Sequence, residues 1–220
     1  MSFAAIEITA PDDISSRDYI IEHLREFDLA IFISPTAVEE SCKTITRFPA
    51  ALKLVAIGSK TARAIEDCGY NADIVADGHD SDSLLQHEQL HSDAIAGKRI
   101  VIFRGVGGRE LLADVLGERG ASVRYAEMYQ RSRPVCVDEF NQLLEQADIL
   151  TVSSNEGLQN LYDLAADKKA LTRLPVVVPG ERARVLAQAL GFDEIRVADN
   201  ATDEACLNAI KYWRSQMGEK

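Results

Sequence analysis

Three stretches of this chain carry residue types that could do chemistry. Arg104-Gly105-Val106-Gly107-Gly108-Arg109 follows an apolar run and leads into a helix-like segment, so its glycines let backbone close on a ligand while two arginines flank it. Guanidinium groups beside free N–H groups suit a carboxylate or a phosphate. No Gly-Lys-Ser/Thr ends the stretch, and Glu110 stands where a dinucleotide fingerprint has its third glycine, so neither phosphate motif applies. A flexible turn with solvated arginines explains the same residues and stays open. His87-Glu88-Gln89-Leu90-His91 matches the zinc-hydrolase pattern, in which two histidines one helical turn apart hold the metal and the glutamate is the base. It lies in a polar connector, and five-residue patterns recur by chance, so metal catalysis is the weakest reading. Tyr129, with Arg131 and Arg133 just beyond it, offers a phenol for proton transfer, although a tyrosine at a domain junction commonly serves packing instead.

These residues must be positioned by a scaffold, and the scaffold is repeated. Leu54-Val55-Ala56-Ile57-Gly58-Ser59-Lys60-Thr61 returns as Val176-Val177-Val178-Pro179-Gly180-Glu181-Arg182-Ala183, 122 positions later. The same spacing carries Gly69 onto Gly191, Tyr70 onto Phe192 and Asp77 onto Asp199. The run from Asp28 to Ala37 returns from Asp148 to Gly157, 120 positions on. Each copy reads as buried strand, small-residue turn, helix, glycine stop, strand. The strand-to-helix junctions at Ser34, Gly58, Ser154 and Gly180 therefore form two matching pairs. One such junction is explained by helix capping. A duplicated set, at strand ends where open α/β sheets bind ligands, points to anion-binding helix starts.

The remaining elements are read from periodicity and breakers. Strands are expected at residues 3–8, 29–33, 53–57, 73–76, 99–103, 122–128 and 194–198. Helices are expected over 17–27 with Ser15 or Ser16 as cap, from Pro35, over 59–68, 80–90, and from 111 to a stop at Gly120, with a last one over 202–215. A polar, basic, proline-bearing stretch at 130–134 reads as a linker. The chain divides into an N-terminal linker strand at 1–9, a first α/β domain at 10–128, a linker at 129–134 and a second α/β domain at 135–220, with parallel sheets.

Bulk composition narrows the function. The 220 residues carry 24 basic and 35 acidic side chains, a net charge of −11, which argues against a nucleic-acid binder. Local cations and backbone N–H groups can still hold an anionic small molecule. No segment reads as a signal peptide or a membrane span, so a cytoplasmic protein without membrane contact is expected. Cys42, Cys68, Cys136 and Cys206 are too scattered for a metal or disulfide framework.

Five motifs occur in order: Ile31-Phe32-Ile33-Ser34-Pro35-Thr36-Ala37-Val38, Val55-Ala56-Ile57-Gly58-Ser59-Lys60-Thr61-Ala62, Arg104-Gly105-x-Gly107-Gly108-Arg109-Glu110-Leu111-Leu112, Glu127-x-Tyr129-x-Arg131 and Ser153-Ser154-x-Glu156-Gly157. Together they resemble the uroporphyrinogen-III synthases over nearly the whole chain. The resemblance implies two similar flavodoxin-like domains joined by a two-strand linker, with the active site in the inter-domain cleft. It implies a carbon–oxygen lyase that uses no cofactor and no metal. Its substrate would be hydroxymethylbilane, a linear polycarboxylate tetrapyrrole that loses water and closes with its last ring inverted. A monomer is implied, as is handover from the enzyme that makes hydroxymethylbilane.

Tyr129 matches the tyrosine that the resemblance implies as the candidate for assisting hydroxyl loss. The binding set comprises Ser34, Thr36, Ala37, Gly58, Lys60, Thr61, Arg104, Gly105, Arg109, Ser153, Ser154, Glu156, Gly157, Gly180 and Arg182. Ala183 departs from the threonine common there. Family members also begin with a strand ending Thr-Arg-Pro and a helix, ahead of the segment matching residues 3–8. The second domain is accordingly expected to lack a strand, a helix and an arginine in this form, unless the natural chain is longer, and this form is expected to be less stable and weakly active. The Gly58 side is expected to be the better-preserved half. The alternatives are a non-catalytic anion-binding module on the same scaffold and a zinc hydrolase using His87, Glu88 and His91.

Overall fold

A computed structural model of the chain describes residues 1–217 apart from His79 and Arg109, with side chains through Ser215. It is an α/β protein in which each strand-to-strand pairing resolved in register is parallel. In chain order the elements are β1 (Glu7–Thr9), α1 (Ser15–Glu22), β2 (Leu29–Phe32), α2 (Pro35–Thr44), β3 (Lys53–Ala56), α3 (Ser59–Asp67), β4 (Ile74–Val75), α4 (Ser81–Leu85), α5 (Ser92–Ile95), β5 (Arg99–Gly105), α6 (Leu111–Glu118) and β6 (Ser122–Ser132). Then come α7 (Val137–Leu144), β7 (Leu150–Thr151), α8 (Asn155–Leu164), α9 (Lys168–Arg173), β8 (Val176–Val178), α10 (Glu181–Ala189), β9 (Ile195–Val197) and α11 (Asp203–Met217). None of the described helices is long and apolar enough to cross a membrane.

The chain forms two compact units. The larger is Ile8–Arg131; the smaller combines Met1–Glu7 with the chain from Ser132 onward. The larger unit is built on the sheet β1-β6-β5-β2-β3-β4. Its five successive strands β2 to β6 lie in the order 3-2-1-4-5, a circular permutation of the flavodoxin-like 2-1-3-4-5. The strand order turns back between β2 and β5.

Packing explains why β2 is central. All four of its residues are buried, as a parallel strand covered on both faces requires. Alternation sends Ala30 and Phe32 to one core with Phe48 and Phe103, and Leu29 and Ile31 to the other with Val55, Ile100 and Ile102. Phe32 stacks on Phe103 with ring centroids 4.9 Å apart and meets Phe48 edge-on. Such aromatic pairs add roughly 0.5–1.5 kcal/mol each beyond the area they bury.

The repeat is realised in backbone detail. Ser34 and Ser154 are both extended, and each side chain accepts the N–H three residues on, from Ala37 and Gly157, at 3.0 Å. α2 and α8 are ten residues long; α3 and α10 are nine. Gly69 and Gly191 close α3 and α10 in the left-handed region, with the N–H groups of Gly69 and Tyr70 returning to Glu66 and Ile65, and those of Gly191 and Phe192 to Gln188 and Ala187. The smaller unit's sheet is β7-β8-β9, matching β2-β3-β4. β2 pairs along both edges, with β3 and β5; among the described residues β7 pairs only with β8.

Several expected boundaries move. Residues 3–8 are not one strand: Phe3 and Ala5 instead pack into the smaller unit's core, Phe3 against Phe140. Helix 17–27 ends at Glu22 and resumes as a short 3-10 turn, and neither Ser15 nor Ser16 caps it; Ile14 holds that position, while Asp13 accepts from Ser15. Helix 80–90 is broken after Leu85, so His87 and His91, both extended, bracket a 3-10 turn. The helical spacing that zinc binding would need is absent. Finally, β6 runs on through Ser132, which places Tyr129 in a strand.

Candidate functional site

Because β2, β3, β5 and β6 are parallel neighbours, their carboxyl ends form one rim of the larger unit, carrying Ser34, Gly58, Gly105 and Tyr129. The strand order reverses between β2 and β5, which is where open α/β sheets bind ligands. Ser34 ends β2 at this point and Gly105 ends β5.

A register shift between Arg104 and Gly105 decides where the tyrosine goes. Arg104 faces Glu127 across the strands, but Gly105 faces Tyr129, so β6 gains one residue on β5. Simple alternation would set Tyr129 on the face of Tyr125 and Glu127. The bulge turns it over, and Tyr129 joins Met128, Phe103 and Phe32 in the opposite core. There it is 5% exposed, with its hydroxyl 3.2 Å from Ser34 Oγ. Gly105 makes the space: a Cβ there would lie 2.7 Å from Tyr129 Cε2 and 2.8 Å from Cζ.

Arg104 lies on the other face. Its guanidinium carbon sits 3.6 Å from the centroid of the Tyr125 ring, and its Nε and Nη2 donate to Glu127 Oε1 at 3.2 and 2.9 Å. The same oxygen accepts from Gly107 N at 3.2 Å. Burial pushes the Tyr125 phenol above its ordinary value, against the pull of Arg104, and its hydroxyl donates to the Glu110 carbonyl. Arg109 lies outside the described residues.

The helix starts on the two units are not equivalent. α2 and α3 have no acidic residue in their first turns, and Lys60 adds a cation to α3. α8 carries Glu156 and α10 carries Glu181, the latter paired with Arg184, which holds its carboxyl below the usual range. A carboxylate at a helix N-terminus takes up the favourable field that an anionic ligand would use, worth roughly 0.3–1 kcal/mol per charge. The backbones differ too: Gly58 is ordinary extended chain, whereas Gly180 has φ +149, open to glycine alone at little cost.

The structure thus gathers Ser34, Thr36, Ala37, Gly58, Lys60, Thr61, Arg104, Gly105 and Tyr129 along one rim, with Thr61 buried at the first turn of α3 and Lys60 exposed. Ser153, Ser154, Glu156, Gly157, Gly180 and Arg182 form the corresponding rim of the smaller unit, where Ala183 is buried at the Thr61 position. His87, Glu88 and His91 lie in the connector before α5, away from the strand ends. Among the described residues no cluster of three or more His, Cys, Asp or Glu side chains could hold a metal. Sequence reasoning missed Tyr125 and the pairing role of Glu127; the signal available was their two-residue spacing on a strand opposite Arg104.

Comparison with known proteins adds an independent line. The family model described as uroporphyrinogen-III synthase HemD matches residues 1–208. The uroporphyrinogen-III synthase of Salmonella typhimurium is 35% identical over 225 residues, covering 96% of this chain and 89% of the relative. That of Escherichia coli is 33% identical over 224 residues, covering 95% and 89%. Among solved structures, uroporphyrinogen-III synthetase from Helicobacter pylori superposes with a TM-score of 0.65 at 16% identity, covering 95% of this chain and 91% of that one. A mutant uroporphyrinogen III synthase from Thermus thermophilus gives 0.53 at 18% identity, covering 99% and 89%. At these identities the structural likeness speaks for the fold.

Proposed function

The chain belongs to the uroporphyrinogen-III synthase family, and we propose on that premise that it is a carbon–oxygen lyase converting hydroxymethylbilane to uroporphyrinogen III. The observation that carries the chemical assignment is the Tyr129–Ser34 pair at the reversal point of the larger sheet. Ser34 Oγ already accepts the Ala37 N–H, so its own proton is available to the Tyr129 oxygen. That arrangement leaves the phenol proton for the substrate. Tyr129 donates it to the departing hydroxyl of the linear tetrapyrrole, the C–O bond breaks, and water leaves behind a cation delocalised into the first pyrrole.

The substituted carbon of the last ring then attacks that cation to give a spiro intermediate, which reopens and recloses with the ring inverted. The proton lost at closure restores the phenol, so water is the sole by-product. Positioning supplies most of the acceleration, because the competing closure without inversion needs no catalyst. Carboxylates of the substrate are taken by the α2 and α3 starts, with Lys60, and by Arg104 and the 105–108 turn; Ser153, Ser154, Gly157, Gly180 and Arg182 are the smaller unit's own anion-binding residues. The proposal extends to a cytoplasmic monomer of two similar domains, supplied directly by the enzyme that makes hydroxymethylbilane.

Incubation with enzymatically made hydroxymethylbilane, with separation of the product isomers, tests this reading. Type III product above the blank supports it. Type I product alone, at the spontaneous rate, would leave an anion-binding module and overturn it.

A further inference from the structure

The Arg104 side chain is 8% exposed, yet its Nη1 has no hydrogen-bond partner among the described residues. A buried guanidinium donor left unpaired is costly, and such atoms are retained where a ligand completes them. The rest of the group is held in place: Tyr125 covers its face, and Glu127 takes Nε and Nη2. Glu127 Oε1 also holds Gly107 N, and so anchors a turn whose Gly107 and Gly108 lie at φ +77 and +104.

We propose that Glu127 is a positioning residue for substrate binding. It ties Arg104 and the 105–108 turn to one carboxylate oxygen and so reserves Arg104 Nη1 for a single carboxylate of the tetrapyrrole. The inference rests on the reading of the substrate as a polycarboxylate. Glu127 itself touches no reacting atom. Its effect passes through Arg104, so it belongs to affinity and not to the chemical step. Without Glu127 the guanidinium loses its anchor, and the glycine turn samples many conformations before a ligand arrives, an ordering cost charged to binding.

The test uses the full chain in two assays: isomer-resolved turnover of hydroxymethylbilane, and calorimetric titration with uroporphyrin III, the oxidised product, which needs no turnover. Glu127→Ala is expected to raise KM about tenfold and weaken uroporphyrin binding by a similar factor, with kcat within about twofold. Glu127→Gln, whose amide oxygen can accept the same N–H groups, is expected to recover most of the affinity. Arg104→Ala should match Glu127→Ala, and the double variant should be no worse than either. Should Glu127→Ala not fold, Glu127→Asp keeps the charge, shortens the reach and should raise KM in the same way. Unchanged KM and uroporphyrin affinity in a folded Glu127 variant, a loss confined to kcat, or additive effects in the double variant each overturn the proposal. A wild-type protein that binds uroporphyrin through Glu127 and Arg104 but makes no type III isomer overturns the activity while supporting this assignment.

Discussion

Tyr129, near the end of β6, reaches past β5 to bring its hydroxyl within 3.2 Å of Ser34 Oγ at the end of β2. Ser34 is therefore both the N-cap of α2 and the neighbour of the phenol, whereas Ser154 caps α8 with the same geometry. Replacing either serine by alanine should cost about 1 kcal/mol of stability through the lost cap. Ser34→Ala should in addition lower kcat roughly tenfold, because Tyr129 loses its orienting partner, while Ser154→Ala should be felt in KM. Thermal melts beside steady-state kinetics separate the two; an equal kcat loss in both variants would contradict the pairing.

Gly105→Ala probes the same contact from β5. Its φ is not in the left-handed region, so the added methyl acts through space alone, pushing on the Tyr129 ring. Overpacking of this kind costs about 1–3 kcal/mol, and turnover should fall with it. Gly117→Ala is the contrasting case, since its Cβ meets nothing within 4 Å inside α6. That variant should melt higher, by the equivalent of about 0.5–1 kcal/mol. Unimpaired turnover in Gly105→Ala would show that the ring can move without consequence.

Much of this scaffold was legible in residue order because it is local. Ser34-Pro35 and Ser154-Asn155 announce caps, Gly69 and Gly191 announce stops, and the apolar run at Leu29 announces a strand buried on both faces. What was not legible depends on partners distant in sequence. Period-two alternation would put Tyr129 beside Glu127, and only the slip of β6 against β5 turns it toward Ser34. Arg104 was readable as an anion binder, but not as an arginine stacked on Tyr125 and tied to Glu127, because that arrangement needs the register. His87 and His91 match a helical motif by spacing, yet leucines 84, 85 and 90 all bury into one core and break the helix between them.

Acid stability should depend on Asp28. Its Oδ2 accepts the Arg99 N–H at 2.8 Å and its Oδ1 the Lys98 ammonium at 3.2 Å, where β2 and β5 begin side by side. The backbone N–H chiefly, with Lys98 adding, holds its carboxyl below the ordinary value. A depressed folded pKa stabilises the protein above the unfolded value of about 3.9 and is lost as pH falls through the folded one. Asp28→Asn should thus melt lower than the native protein at pH 7, by less than about 1 kcal/mol for so solvated a group. The gap should close as pH falls through the folded value; a gap that widened on acidification would contradict this.

Thiol chemistry should be selective. Burial, with the neighbouring Cys68, pushes the Cys42 thiol up to about 12, so almost none is thiolate near neutrality. Cys136 is exposed. Mass-resolved alkylation of the native protein at pH 7.5 should mark Cys136 well before Cys42. Equal native rates at the two positions would contradict this.

The central claim is that Tyr129 delivers the proton on which hydroxyl departure depends. Its most direct test is isomer-resolved turnover of hydroxymethylbilane by the native protein and by Tyr129→Phe, which keeps the ring and removes the hydroxyl. The account predicts type III product from the native protein and a kcat lower by on the order of 10²-fold in the variant, with KM little changed. Type III formation at an undiminished kcat in Tyr129→Phe would contradict it.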